Sequence, residues 1–171
     1  MSNGVKQRNG YADYLNVAEA GQEASYAFMG TGFTKLDESP SAQTKSKRYV
    51  HQTSTSKSIS GYDDSFPYET DMILSEEAVN FICEIGLQRK TGADAEMEYV
   101  RVDMDKPVGS DSNEYDARKF RVAIEVSEFA DSDGEPSASG NLLPIGDFVE
   151  GKFNTTTKTF TATEQGGRRK C

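Results

Sequence analysis

Histidine, cysteine and glycine-rich motifs are scarce in this sequence, and their scarcity excludes several classes of enzyme. His51 is the only histidine, so one chain cannot form a metal site with several histidines. Two cysteines, Cys83 and Cys171, are too few for a disulfide framework and fit synthesis in a reducing cytoplasm. No glycine-rich phosphate-binding loop is present, because Gly30-Thr31-Gly32 is only a turn-like pair.

Long apolar runs are also missing. Hydrophobic residues make up 35% of the chain and the first ten residues are polar, so we expect neither a signal peptide nor a transmembrane segment. Low hydrophobicity with a net charge of -9 is typical of disorder, but 9 Phe and 8 Tyr and clear strand patterns favour ordered β structure. The acidity argues against an ordinary nucleic-acid binder, since phosphates repel an acidic surface.

Acidic clusters are the remaining chemical motifs, and neither of them indicates a site. The segment 131–135, Asp-Ser-Asp-Gly-Glu, resembles the start of a calcium-binding loop, but its glycine is misplaced for an EF-hand and no bidentate Glu follows at the required spacing. A solvated hairpin loop is the alternative interpretation. Asp103 and Asp105 flank Met104, and two carboxylates alone do not form a catalytic centre. We therefore expect no catalytic residues, no metal and no cofactor, and a protein that is not an enzyme.

One convincing helix is present, over about residues 75–89. Ser75 is the predicted N-cap, and Gly86 or Gly92 ends the helix. Four apolar residues recur at the spacing of one helical face: Ala78, Phe81, Ile82 and Ile85. Because this face needs a surface to cover, we expect six residues of the helix and the clearest strand to be buried together: Phe81, Ile82, Ile85, Val122, Ile124 and Val126.

Most other apolar segments have patterns that predict β-strands. The clearest is 119–127, where apolar and polar residues alternate. Further extended segments are predicted at 14–18, 24–30, 33–36, 66–72, 97–104, 142–149, 152–153 and 159–162, with a loop over 131–140. The predicted fold is therefore mainly β: one domain over 1–171, a β-sandwich or barrel with one flanking α-helix, a long polar loop, and extended terminal arms at 1–11 and 164–171.

Residues 41–60 differ in composition from the rest of the chain. They contain four basic residues and no Asp or Glu, so this segment carries +4 and the remainder carries -13 of the total of -9. One interpretation is a solvated surface loop or ragged hairpin. The other is an arm that docks on an acidic partner, for which long loops in compact domains are often used. The residues that would make this contact are Lys45, Lys47, Arg48, Tyr49 and Lys57.

The arrangement of these segments resembles the major tail (tail tube) proteins of long-tailed bacteriophages. Three segments carry the resemblance: Phe66-Pro67-Tyr68-Glu69-Thr70-Asp71-Met72 followed by the helix with Phe81-Ile82, then Tyr99-Val100-Arg101-Val102-Asp103, and the hairpin from Ile145 to Phe160. The resemblance covers roughly residues 12–163. The tubes of contractile tails and of type VI secretion look similar and share the fold.

The resemblance implies a structural subunit that assembles into stacked rings, usually hexameric, around a channel for DNA. Its expected partners are further copies of itself, other tail proteins such as the tape measure, terminator and tip, and DNA in transient, non-specific passage, without direct membrane insertion. The expected location is the virion tail, after assembly in the host cytoplasm. Acidic side chains facing the channel would repel phosphates, and the candidates are Glu96, Glu98 and Glu125.

Other classes of function remain open. A different virion or injection-apparatus component, such as a secretion-tube-like, sheath-like or head-decoration protein, would have a similar composition. Acidity that serves only solubility is the alternative to a channel lining. Enzymes and ligand-binding barrels form the third class, for which the sequence offers no reactive set.

Overall fold

A computed structural model describes residues 4–19, 21–109 and 113–163. The chain is mainly β with one α-helix, which confirms the predicted fold class. Two short 3-10 turns, Arg8–Gly10 and Gly92–Ala95, precede β1 and β7. The elements are β1 Tyr11–Asn16, β2 Tyr26–Phe28, β3 Phe33–Leu36, β4 Ala42–Lys47, β5 Ser56–Tyr62, β6 Phe66–Asp71, α1 Glu77–Leu87, β7 Glu96–Pro107, β8 Glu114–Ser132, β9 Glu135–Pro144, β10 Val149–Asn154 and β11 Thr159–Ala162.

Nine strands form one antiparallel sheet in the order β2-β1-β7-β8-β9-β6-β3, with β10 paired to β8 and β11 paired to β10. The sheet is open, since β2 and β3 end its main path and do not pair with each other within the described residues. Of the two predicted architectures, the sandwich-like one fits and the closed barrel does not. β4 and β5 form a separate two-stranded sheet.

The strand β8 organises the sheet. Its 19 residues pair with β7 and β10 along the first part and with β9 along the second. The sequence predicts only residues 119–127 as strand and a loop over 131–140. The structure instead continues β8 to Ser132, turns at Asp133-Gly134 and returns along β9. Both turn residues have positive φ, 53° and 82°, as a tight two-residue hairpin turn requires.

The helix α1 covers one face of the sheet, as predicted, but it is shorter than its sequence pattern suggests. It begins at Glu77 after Glu76 and no side chain caps it, so the predicted N-cap at Ser75 is wrong. The six residues predicted to form a core do lie in one cluster. Phe81 and Val126 are only partly buried, whereas Ile82 and Val122 are fully buried.

A second apolar cluster lies on the opposite face of the sheet, where β1, β2, β7, β8 and β10 meet. Its members are Tyr14, Tyr26, Val100, Val102, Ala117 and Phe153. The ring of Phe153 lies 4.4 Å from that of Tyr14 and 5.6 Å from that of Tyr26. Because β7 contributes Tyr99 to the first cluster and Val100 to the second, this strand is buried on both faces.

The predicted N-terminal arm, 1–11, is described from residue 4 onwards. Within it Lys6 pairs with Asp103 and Asp105, at 2.5 and 2.9 Å, and its last residue, Tyr11, begins β1. The predicted C-terminal tail, 164–171, which includes Cys171, lies outside the described residues. Pro144 ends β9, so the predicted extended run 142–149 is divided between two strands.

Candidate assembly surfaces

The basic segment 41–60 forms most of a β-hairpin. β4 and β5 pair from Ala42 opposite Tyr62 to Lys47 opposite Ser56, with one bulge between Gln43 and Thr44. Every residue of β4 is exposed, and so is β5 apart from the half-buried Gly61. The segment is thus a hairpin, as one of the two sequence interpretations has it, and not an irregular loop. We call Ala42–Tyr62 the basic hairpin.

The base of the basic hairpin is tied to the main sheet by backbone and charge contacts. The peptide N–H groups of Ser39 and Ser65 donate to each other's carbonyl oxygens at 2.8 and 2.9 Å. Glu38, just before the hairpin, accepts two hydrogen bonds from the Arg118 guanidinium at 2.7 and 2.9 Å. Since β4 and β5 pair only with each other, this base is what positions the hairpin.

The five predicted contact residues all lie on or near the end of the basic hairpin. Lys45 and Lys47 share one face of β4, while Lys57 lies opposite Ser46 on the other face. Lys47 Nζ lies 5.5 Å from the centre of the Tyr49 ring, and Arg48 Nε donates to the Gln52 carbonyl at 3.2 Å. Large apolar side chains are exposed beside them: Tyr49, Val50, Ile59 and Tyr62. Cations and apolar groups together suit docking on an acidic surface.

The three channel candidates share one face of the sheet, the face opposite α1. Glu96 lies opposite Ala123 and Glu98 opposite Arg121, and residues directly opposite each other share a face. Glu125 follows on the same side of β8. The register therefore brings the three predicted residues to one surface, although it does not define a channel in a single chain.

Two of these three carboxylates are paired with cations of the same face. Glu96 contacts Arg121 Nη2 at 3.1 Å, and Glu98 contacts Lys119 Nζ at 3.8 Å while accepting a hydrogen bond from the Tyr26 hydroxyl at 2.9 Å. Glu125 accepts a hydrogen bond from Asn141 Nδ2 at 3.4 Å and is exposed. Its charge is therefore the least compensated of the three.

A buried polar cluster, missed by the sequence interpretation, lies on the α1 side of the sheet. Cross-strand pairing places Asp13, Arg101 and Arg118 in one row over β1, β7 and β8. Asp13 accepts hydrogen bonds from the Tyr99 hydroxyl and, at 2.6 Å, from Arg8 Nη2. Glu38 covers the row and contacts both Arg118 and, at 4.0 Å, Arg101. The cluster joins the N-terminal segment, three central strands and the base of the basic hairpin.

The electrostatics of this polar cluster follow from burial and pairing. Hydrogen bonds from Arg118 hold the pKa of Glu38 below its ordinary value despite partial burial. Burial, together with the negative charge of Asp13, raises the pKa of the Tyr99 hydroxyl well above its ordinary value. Arg101 is 5% exposed, and its Nε and Nη1 have no hydrogen-bond partner within the described residues. The rings of Tyr11 and Phe66 lie over its guanidinium.

Metal-binding clusters are not found in the described part of the chain. No group of three or more His, Cys, Asp or Glu side chains there is placed to hold a metal ion. Among the same residues, no helix has the length and apolar character needed to span a membrane. The segment predicted as either a calcium loop or a solvated hairpin loop, 131–135, forms the turn between β8 and β9.

Comparison with known proteins leaves the resemblance to tail tube proteins as an inference from the residues. No protein-family model matches the chain, and no curated protein matches it.

Proposed function

We propose that this protein is a structural subunit that self-assembles into stacked rings, forming a phage tail tube through which DNA passes. The observation that carries the proposal is the exposed basic hairpin on an otherwise acidic subunit. The hairpin projects apolar and cationic groups that no other part of the described chain covers. A second copy supplies the opposite charge, since the rest of each chain carries -13.

The open sheet supports the same proposal. Exposed strand edges are an aggregation risk in a monomer, and pairing between neighbouring copies removes that risk. Head-to-tail contacts close into a ring when the rotation between subunits permits it, and contacts between ring faces continue the stack. The expected partners are therefore further copies of this chain first, then the tape measure, terminator and tip proteins. The virion tail is the corresponding location.

Electron microscopy tests the assembly directly. Concentrated purified protein, viewed in negative stain, should contain rings or filaments of uniform width. A preparation that stays monomeric at high concentration would contradict the tube proposal.

Shortening the basic hairpin tests the surface that carries the proposal. We expect a variant with residues 43–58 replaced by a tight turn to fold normally, because β4 and β5 do not pair with the main sheet. It should no longer polymerise. Circular dichroism and the thermal unfolding midpoint check that the fold is intact. Tubes of normal length from this variant would show that the hairpin has no part in assembly.

A further inference from the structure

The cations of the basic hairpin differ from most others in the described chain because no carboxylate pairs with them. All four of its cations lack an ion pair within residues 4–19, 21–109 and 113–163, and only Arg89 and Lys158 share this property among the other described Lys and Arg residues. The remaining described cations all contact carboxylates of their own chain. Among the described residues, four of the six cations without an ion pair therefore lie on one projecting element.

An acidic counterpart lies at the end of the β8–β9 hairpin. No Lys or Arg occurs between Arg121 and Lys152. Four exposed carboxylates lie along the far part of this hairpin, and none forms an ion pair with a described residue: Glu128, Asp131, Asp133 and Glu135. We call this part of the molecule, residues 128–135, the acidic tip.

The acidic tip also has an unpaired strand edge. β7 pairs with β8 only as far as Glu96 opposite Ala123, so beyond that point β8 has β9 on one side and no described strand on the other. The Glu125 carbonyl oxygen lies on the β9 side, close to Gly140, where the Tyr68 hydroxyl donates to it at 2.8 Å. A bulge between Val126 and Glu128 then interrupts the regular edge of β8. The edge that remains for another strand is therefore Glu128–Ser132, about 17 Å long at the usual rise per residue.

A groove lies next to this edge. Its volume is about 860 Å³, and it runs between the end of α1 and β8. Ile85, Ile124, Val126 and Phe129 supply its apolar part, and Arg89 and Lys90 at the end of α1 belong to its polar part. A large apolar side chain carried by an incoming strand would enter this groove, and the basic hairpin exposes such side chains at Val50 and Ile59.

We infer that the acidic tip is the docking site for the basic hairpin of a second copy of this chain. One outer edge of that hairpin pairs with Glu128–Ser132 as an added strand, which is a common mode of recognition at an exposed sheet edge. Glu128 and Asp131 lie on opposite faces of β8, and the basic hairpin carries cations on both of its faces, Lys47 on one and Lys57 on the other, so each carboxylate meets a cation. The carboxylates of the acidic tip repel the acidic edges of other copies, and the bulge misaligns those edges with β8. The acidic tip therefore selects the basic hairpin. This inference rests on the proposed function and names its receiving surface.

Charge reversal on each side of the contact, followed by mixing, tests the inference. One variant carries Glu128→Lys and Asp131→Lys, and the other carries Lys47→Glu and Lys57→Glu, so each variant reverses one charge on either face; all four positions are exposed. Each variant alone should require at least about tenfold more protein for assembly, because like charges then face each other. An equal mixture should assemble again, since the hairpin of each variant matches the tip of the other. Light scattering and negative-stain microscopy measure both effects.

A control matched to the tip variant carries Glu19→Lys and Glu23→Lys, which change the net charge by the same amount at exposed positions outside the acidic tip. It should assemble like the unmodified chain. Normal assembly of the tip variant, or a mixture that stays unassembled, would overturn the docking site while leaving the tube proposal in place. An unmodified chain that never assembles would overturn the proposed function and the docking site together.

Discussion

The guanidinium of Arg101 lies in the interior beside a second arginine, Arg118, directly opposite it on the next strand. Like charges in this arrangement destabilise a sheet unless carboxylates are placed among them. Asp13 and Glu38 fulfil that role from either side of the row. The sequence predicts that residue 101 shares a face with Tyr99, but not that the N-terminal segment and Glu38 would pack over it.

Asp13 is the residue on which this buried cluster depends most. We expect Asp13→Asn to lower the free energy of unfolding by about 3–5 kcal/mol, because it leaves Arg8 and Arg101 without their buried counter-charge. Urea denaturation at neutral pH measures the change. Asp37→Asn is the control, because Asp37 is exposed and its ion pair with Lys35, at 3.9 Å, is long. The effect of this substitution on the free energy of unfolding should stay within about 0.5 kcal/mol. Equal effects of the two substitutions would contradict the structural role of the cluster.

Ile82 and Phe81 show where the helix pattern alone misleads. The sequence assigns both to the core, but Ile82 is fully buried and Phe81 only partly so. We expect Ile82→Ala to lower the free energy of unfolding by about 2–5 kcal/mol and Phe81→Ala to have the smaller effect. Asn80→Ala, at an exposed position of the same helix, is the control. A larger loss from Phe81→Ala would place the helix in a different orientation on the sheet.

At the scale of elements, strands with one buried face were predictable and those without one were not. The predicted segment 33–36 coincides with β3, and the predicted segment 66–72 is one residue longer than β6. β4 and β5 expose both faces, so they have no alternation of apolar and polar residues. In β8 the far part loses its apolar alternation where it runs beyond β7, and the run of acidic residues there resembles a loop. The Asp133-Gly134 pair is the signal that identifies this turn.

Gly86 fixes how closely α1 approaches β8. A methyl group at this position would lie 2.7 Å from Phe129 Cζ and 2.9 Å from Val126 Cβ. We expect Gly86→Ala to destabilise the protein by about 1–3 kcal/mol through overpacking, although alanine is the better helix former in isolation. Thermal and urea unfolding measure the change. Gly61→Ala, where a Cβ would meet nothing within 4 Å, is the control, and a stabilised Gly86→Ala variant would contradict the close packing.

For the whole molecule, the sequence predicts the separation of charge but not its placement. A basic segment and an acidic remainder follow from composition, whereas the ion pairs of Glu96 and Glu98 depend on strand register. Register follows from long-range pairing, and the sequence pattern does not specify which strands pair. The candidate assembly surface on the hairpin was therefore predictable, while the acidic tip and the buried cluster were not.

Glu125 is the best of the three positions at which to test an acidic channel. Lysine at position 96 would also face Arg121, and lysine at position 98 would also face Lys119, so either substitution would place two cations side by side. We expect Glu125→Lys subunits to form tubes but to release DNA more slowly, since a cationic lining attracts phosphates. Glu125→Gln should have an intermediate effect. The rate of DNA ejection from assembled particles measures the change. An assembled structure with Glu96, Glu98 and Glu125 all on its outer surface would rule out this lining.

The length of β8 has a mechanical consequence. Because β7 and β10 flank its first part and β9 its second, a pull along this strand shears many hydrogen bonds at once. The basic hairpin is loaded differently: a force that separates β4 from β5 opens their bonds one after another from one end. A force that parts β4 from β5 should therefore be smaller than a force that draws β8 out along its own length.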